Sequence, residues 1–311
     1  MKTGKIAFVF PGQGAQKVGM GKNLAESSAG AAKLLEQADK ALGFSLSDLC
    51  FNGPEEELSK TEITQPALLT VSAMALEAFR EKCGIKPDFV AGHSLGEFSA
   101  IYAAGGYSFE DAVKIVRNRG LYMSEASGGV MAAVLGLDAG LIQEACTLVS
   151  SGENFIQPAN YNGDGQTVIA GTPGALEAVT PLLKEKGAKR IIPLKVSAAF
   201  HTPFMADAEK KLTTDLAAVS FNDLNISLVN NVDAKIVSAA QEARSGSARQ
   251  VTGAVRWTEI MKVLVSEGVK TVVEFGPGKT LIGMLKREDK TLTLCNIEDA
   301  DSLKESLEIL S

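Results

Sequence analysis

A serine with one glycine two residues before it and another two residues after it constrains this chain more than any other feature. The stretch Gly92-His93-Ser94-Leu95-Gly96-Glu97 follows an apolar, extended run at residues 88–91 and opens a small-residue helical pattern at residues 95–104. A strand turning into a helix with serine at the apex is a nucleophile elbow. The turn holds the serine in a strained backbone conformation, and only glycine at the flanking positions lets strand and helix approach closely. It also sets the hydroxyl at a helix N-terminus, where free backbone N–H groups can hold an oxyanion.

The rest of the chain agrees with such a turn. Residues 5–10, 225–230, 271–275 and 291–297 are apolar runs without alternation, separated by helical patterns at 23–42, 65–83, 202–218 and 257–265. That rhythm predicts a mainly parallel sheet covered on both faces. Pro66 is expected at the first position of the helix it begins. Ser108 and Asp111 form a capping-box variant. The segment 239–250 is expected to be a loop of small and charged residues. Between residues 128 and 197 the order becomes β-α-β-β-α-β, the pattern of a ferredoxin-like unit. The expected organisation is a catalytic domain of residues 1–127 and 198–311, interrupted by a small subdomain at 128–197.

Two phosphate motifs fail on inspection. After the first strand, Gly12-Gln13-Gly14 begins a dinucleotide fingerprint, but Lys17 stands where the third glycine belongs. Gly278-Lys279-Thr280 ends like a P-loop, but Val273 replaces its first glycine. A net charge of −6 argues against a nucleic-acid partner. No apolar run is long enough to span a membrane and the N-terminus lacks a signal-peptide pattern, so a cytoplasmic location is expected. Cys50, Cys83, Cys146 and Cys295 are widely spaced, which predicts reduced thiols and no metal site.

A serine nucleophile needs a base, and the chain has two histidines. His93 adjoins Ser94 on the elbow and should point away from it, so a packing role is expected there. His201 precedes Thr202-Pro203 at a helix mouth, where the imidazolium form is disfavoured. It is the expected base. Asp111, Asp138 and Asp164 lie between serine and histidine, yet the first reads as a helix cap and the others as turn residues. A Ser–His dyad is therefore expected, its imidazole oriented by an amide or a backbone carbonyl. Arg119 shares a helical stripe with Ala112, Ile115, Val116, Tyr122 and Met123. An arginine there is an ion pair to a buried carboxylate, a snorkelling side chain, or a site for an anionic substrate group.

In order along the chain, Phe10-Pro11-Gly12-Gln13-Gly14-Ala15-Gln16, Thr64-Gln65-Pro66-Ala67, the elbow, Arg119-Gly120, Val168-Ile169-Ala170-Gly171, Val196-Ser197-Ala198-Ala199-Phe200-His201 and Glu274-Phe275-Gly276-Pro277-Gly278 accumulate. With them the sequence resembles the malonyl-CoA:acyl carrier protein transacylases of bacterial type II fatty acid synthesis over essentially its full length. The resemblance implies an α/β-hydrolase-like core with a ferredoxin-like insertion. It implies Ser94 as the acylated nucleophile and His201 as its base. The backbone N–H groups of Gln13 and Leu95 would form the oxyanion hole, Arg119 would clamp the malonyl carboxylate, and a Gln250 carbonyl would orient His201. Phe200 fits a malonyl-selective member. Malonyl-CoA would be the substrate and holo acyl carrier protein the acceptor, with no permanently bound cofactor and a monomeric enzyme. Lys184, Lys186, Lys189, Arg190, Arg244, Arg249 and Arg256 are candidate carrier contacts. Three other readings share some of these features: a free-standing polyketide acyltransferase, a serine esterase or thioesterase, and a non-catalytic carrier-binding module.

Overall fold

Strands that are mostly apolar on both faces are stable between two layers of helices, and the central strands of the main sheet are of that kind. The computed structural model describes residues 4–196 and 198–311; residues 1–3 and Ser197 of the motif before His201 lie outside the described residues. The strands in chain order are β1 (Lys5–Phe10), β2 (Phe89–Gly92), β3 (Val130–Leu135), β4 (Ile156–Tyr161), β5 (Gln166–Gly171), β6 (Arg190–Pro193), β7 (Ser227–Val229), β8 (Ile236–Val237), β9 (Val269–Phe275) and β10 (Thr293–Ile297). One sheet runs β10-β9-β1-β2-β7-β8. All its pairings are parallel except the short edge pair β7–β8. Edge-to-face contacts join Phe8, Phe79 and Phe275 on one side of it. Trp257, Ile260 and Leu264 fill the other. Parallel strands put the loops after β1, β2 and β7 at one end of the sheet, where open α/β sheets bind ligands.

The second sheet, β4-β5-β3-β6, is antiparallel throughout. Helices Ala139–Val149 and Pro173–Glu185 pack on it over a separate core of Val134, Ile142 and Val179. Backbone hydrogen bonds from Tyr161 N to Val255 O (2.9 Å) and from Val255 N to Ala159 O (2.8 Å) lock it to the first unit.

Three local expectations are corrected. Pro66 lies inside a helix that starts earlier, Thr61–Lys82. Proline offers no N–H to the carbonyl four residues back, and the Arg117 guanidinium donates to that Glu62 carbonyl instead. The segment expected to be a loop is helix Ala240–Arg249. Its Gly246 lets the helix sit against Asn230, where a Cβ would come within 3.0 Å of the amide. The pattern at 23–42 is two helices, Lys22–Ser27 and Ala29–Leu42, because Ser28 accepts from Ala31 N and starts the second. The capping pair forms as expected, with Asp111 N donating to Ser108 Oγ at 3.1 Å.

Candidate active site

The elbow forms where the glycines require it. Ser94 has φ 51° and ψ −108° between β2 and helix Leu95–Ala103. A Cβ on Gly96 would stand 2.0 Å from the Phe10 carbonyl, so no other residue lets the helix lean on β1. Likewise a Cβ on Gly12 would meet the His93 carbonyl at 2.4 Å, so glycine is what brings the loop after β1 against the elbow. That loop delivers Gln13 to the cavity holding Ser94 and Leu95. The backbone N–H groups of Gln13 and Leu95 have no hydrogen-bond partner among the described residues. The Gln13 side chain donates to Thr61 Oγ1 at 3.2 Å.

His201 is buried and also takes a positive φ, 60°. Its Nε2 lies 2.8 Å from Ser94 Oγ and its Nδ1 2.8 Å from the backbone carbonyl of Gln250. A carbonyl only accepts, so Nδ1 carries the proton and Nε2 is left to accept from the serine hydroxyl. Burial, followed by the charge of Arg119, lowers the imidazole to about 3. The helix-mouth argument is secondary, since Thr202 caps only the short 3-10 turn Pro203–Met205 before helix Ala206–Ala218. None of the three aspartates considered orients the imidazole. Asp111 is bonded to Ser108, the cap of its own helix, Asp138 caps the next helix, and Asp164 is exposed in the turn after β4. His93 turns away, as expected, to Asn162 Oδ1 at 2.8 Å and toward the Trp257 ring.

Arg119 is 1% exposed and makes no ion pair among the described residues. Amides and a hydroxyl hold it instead. Nη1 donates to Gln65 Oε1 at 2.7 Å, and Nη2 donates to Gln250 Oε1 at 2.8 Å and to Ser94 Oγ at 3.1 Å. The guanidinium also lies over the Phe98 ring, 5.1 Å from its centroid. Its Nε has no partner, and Nη1 uses one of its two N–H groups. Burial lowers it only to about 10, so it stays charged at neutral pH. A buried cation with spare donors, touching a nucleophile, can accept a charge-assisted pair with an anion.

Sequence reasoning assigned no role to two further groups. Asn231, just beyond β7, accepts from Ser94 N at 2.7 Å and donates to the Gly92 carbonyl at 2.6 Å, clamping both sides of the strained turn. Its only sequence signal is its place after the C-terminal end of a parallel strand. Glu97 accepts from Asn231 N underneath. Gln250 does more than expected, since its side chain also donates to the Ser94 carbonyl at 3.0 Å.

The cavity over these groups is about 110 Å³, closed by Met131, Leu194, Val196 and Phe200. A larger groove of about 470 Å³ between Ala78 and Leu307 contains none of them. Among the described residues no cluster of His, Cys, Asp and Glu could hold a metal ion, and no helix is long and apolar enough to cross a membrane.

The family model described as acyl transferase domain matches residues 7–302. Over 309 residues the chain is 44% identical to the malonyl CoA-acyl carrier protein transacylase of Bacillus subtilis (strain 168), covering 98% of this chain and 97% of the relative. It superposes at a TM-score of 0.94 and 40% identity on an acyl carrier protein S-malonyltransferase from Vibrio cholerae, covering 97% and 99%. A malonyl-transacylase in complex with a holo type II polyketide acyl carrier protein is similar at a TM-score of 0.94 and 41% identity, over 98% and 99%.

Proposed function

The chain belongs to the acyl transferase family, among its malonyl-CoA:acyl carrier protein transacylases, and on that premise we propose how its residues move a malonyl group from malonyl-CoA to the phosphopantetheine thiol of holo acyl carrier protein. Ser94 Oγ attacks the thioester carbonyl while His201 Nε2 takes its proton. The carbonyl oxygen, now negative, rests on the N–H groups of Gln13 and Leu95. The C–S bond breaks, the proton passes from His201 to the departing CoA sulfur, and malonyl-Ser94 remains. The carrier thiol then gives its proton to His201, attacks the ester carbonyl, and leaves with the malonyl group as Ser94 recovers its hydrogen. This ping-pong cycle supplies malonyl units for fatty acid elongation.

One observation supports the choice of acyl group above the rest: Arg119, buried without an ion pair, lies 3.1 Å from Ser94 Oγ. A malonyl carboxylate gives that guanidinium its missing anion, whereas an acetyl group leaves it unpaired, a difference of about 2–5 kcal/mol. Residues 1–127 and 198–311 are taken as an α/β-hydrolase-like catalytic unit and 128–197 as a ferredoxin-like insertion. We take the enzyme to be a cytoplasmic monomer that works without a permanently held cofactor. The test is intact-protein mass spectrometry after mixing with malonyl-CoA alone. A single malonyl adduct on Ser94 that disappears on adding holo acyl carrier protein is expected. An unmodified Ser94, or release of free malonate at the rate of transfer as a thioesterase would give, overturns the reading. A panel of fatty-acid and polyketide carriers is expected to show fastest transfer to the former.

A further inference from the structure

Glu97, on the first turn of the helix that Ser94 begins, is fully buried. One carboxylate oxygen accepts from Asn231 N, while Oε1 makes no full hydrogen bond and the Gln250 side-chain amide lies beside the carboxylate. Through Asn231 it bears on the nucleophile, because the same residue's side chain holds Ser94 N and the Gly92 carbonyl. The mechanism above gives this carboxylate no task. Three titratable groups face it: Arg119, Tyr107 and Arg249. Tyr107 donates to the Phe98 carbonyl, and burial keeps its hydroxyl neutral. Arg249 is taken by Asp233 at 2.6 Å. Arg119 is therefore the one unpaired cation with which Glu97 shares the interior.

We propose that Glu97 is a positioning and charge-compensating residue that takes up a proton when the acyl carboxylate pairs with Arg119, so that the site has the same net charge empty and loaded. The inference rests on the reading of Arg119 as the carboxylate clamp. In the empty site the guanidinium and an ionised Glu97 sum to zero. A malonyl carboxylate brings the sum to −1 in a water-poor interior, which is costly. Protonating Glu97 restores zero. Burial supports this, since it raises Glu97 to about 7 against the opposing pull of Asn231, Arg119 and the Gln250 side chain. Charge on the substrate then lifts it further. The acyl transfer itself is proton-neutral: Ser94–OH and malonyl–S–CoA give malonyl–O–Ser94 and CoA–SH. The additional proton comes from solvent and ends on Glu97.

The test mixes enzyme with malonyl-CoA at pH 7.5 in weak buffer with a pH indicator and counts adduct by mass spectrometry. On the order of half a proton consumed per malonyl adduct is expected, with none per acetyl adduct formed from acetyl-CoA. The Glu97→Gln variant is expected to form its adduct, at whatever rate, without proton uptake. Above pH 7, kcat/KM for malonyl-CoA falls toward a limit of about tenfold per pH unit relative to acetyl-CoA, and Glu97→Gln removes that fall. Uptake unchanged in Glu97→Gln, or parallel malonyl and acetyl profiles in the unmodified enzyme, overturns the proposal. The second comparison stands even if the variant does not fold. Failure of the underlying reading is seen separately, as an Arg119→Ala variant that keeps the malonyl-over-acetyl preference.

Discussion

Ordinary imidazoles are half protonated near pH 6.5, so a histidine base usually loses its function just below neutrality. His201 differs because the charged form has no water around it and faces the Arg119 guanidinium, which together hold it at about 3. Between that value and 6.5 the unfolded chain binds a proton that the folded one refuses. The stability linked to His201 is therefore complete above about 6.5 and is lost as the pH falls toward 3. Activity follows a different course, since the folded enzyme keeps Nε2 free throughout. We expect kcat/KM for a malonyl thioester without phosphates to stay level from pH 7 down to about 5, where unfolding takes over. An acid limb centred near 6.5 in stopped-flow acylation contradicts the assignment. Glu97, near 7, is half protonated at the top of that range and fully protonated at its bottom, so it changes the profile by no more than about twofold.

Between the elements, close approach decides most of the site. Helix Leu95–Ala103 rests on β1 through Gly96, and adding one methyl there places it 2.0 Å from a carbonyl that cannot move without its sheet partners. Gly96→Ala is expected to lower stability by about 3 kcal/mol and to slow Ser94 acylation at least as severely as it unfolds the protein. Chemical denaturation and a burst assay measure the two, and a variant as stable and active as its parent refutes the packing argument. Such a contact is legible in sequence because steric exclusion leaves a residue-type signature, glycine. The same holds for the two central parallel strands, where residues 7–10 and 89–91 show double burial as unbroken apolar runs. Asn231 left no signature, since an asparagine after a strand resembles any turn residue until the chain brings it under an elbow 137 positions away. Pro66 misled for a related reason: its missing N–H is offset by Arg117, which only the tertiary structure places beside Glu62. Helix Ala240–Arg249 was hidden by its small residues, which are there to pack rather than to turn. Arg119 was half legible; its burial followed from the apolar stripe, but the amides that leave it unpaired did not.

At the scale of the molecule the question is how an acidic chain receives a carrier protein that is typically acidic as well. A net charge of −6 repels such a partner at long range, so attraction has to come from a local surface whose cations are not already used. The ion pairs narrow the candidates. Arg249 is held by Asp233, Arg256 by Glu259 and Lys186 by Glu144, while Arg244 lies over the Phe221 ring. Lys184, Lys189 and Arg190 are exposed and make no ion pair among the described residues. They belong to the unit whose Leu194 and Val196 help close the cavity, which makes this unit the candidate for carrier contacts. Reversing two of these charges together, Lys184→Glu with Lys189→Glu, is expected to raise KM for holo acyl carrier protein by about three- to tenfold at low salt. Malonyl adduct formation from malonyl-CoA alone stays unchanged, and the defect shrinks as salt screens the surface. A carrier KM that does not move, or an equal loss with a free pantetheine thiol as acceptor, shows that the carrier docks elsewhere.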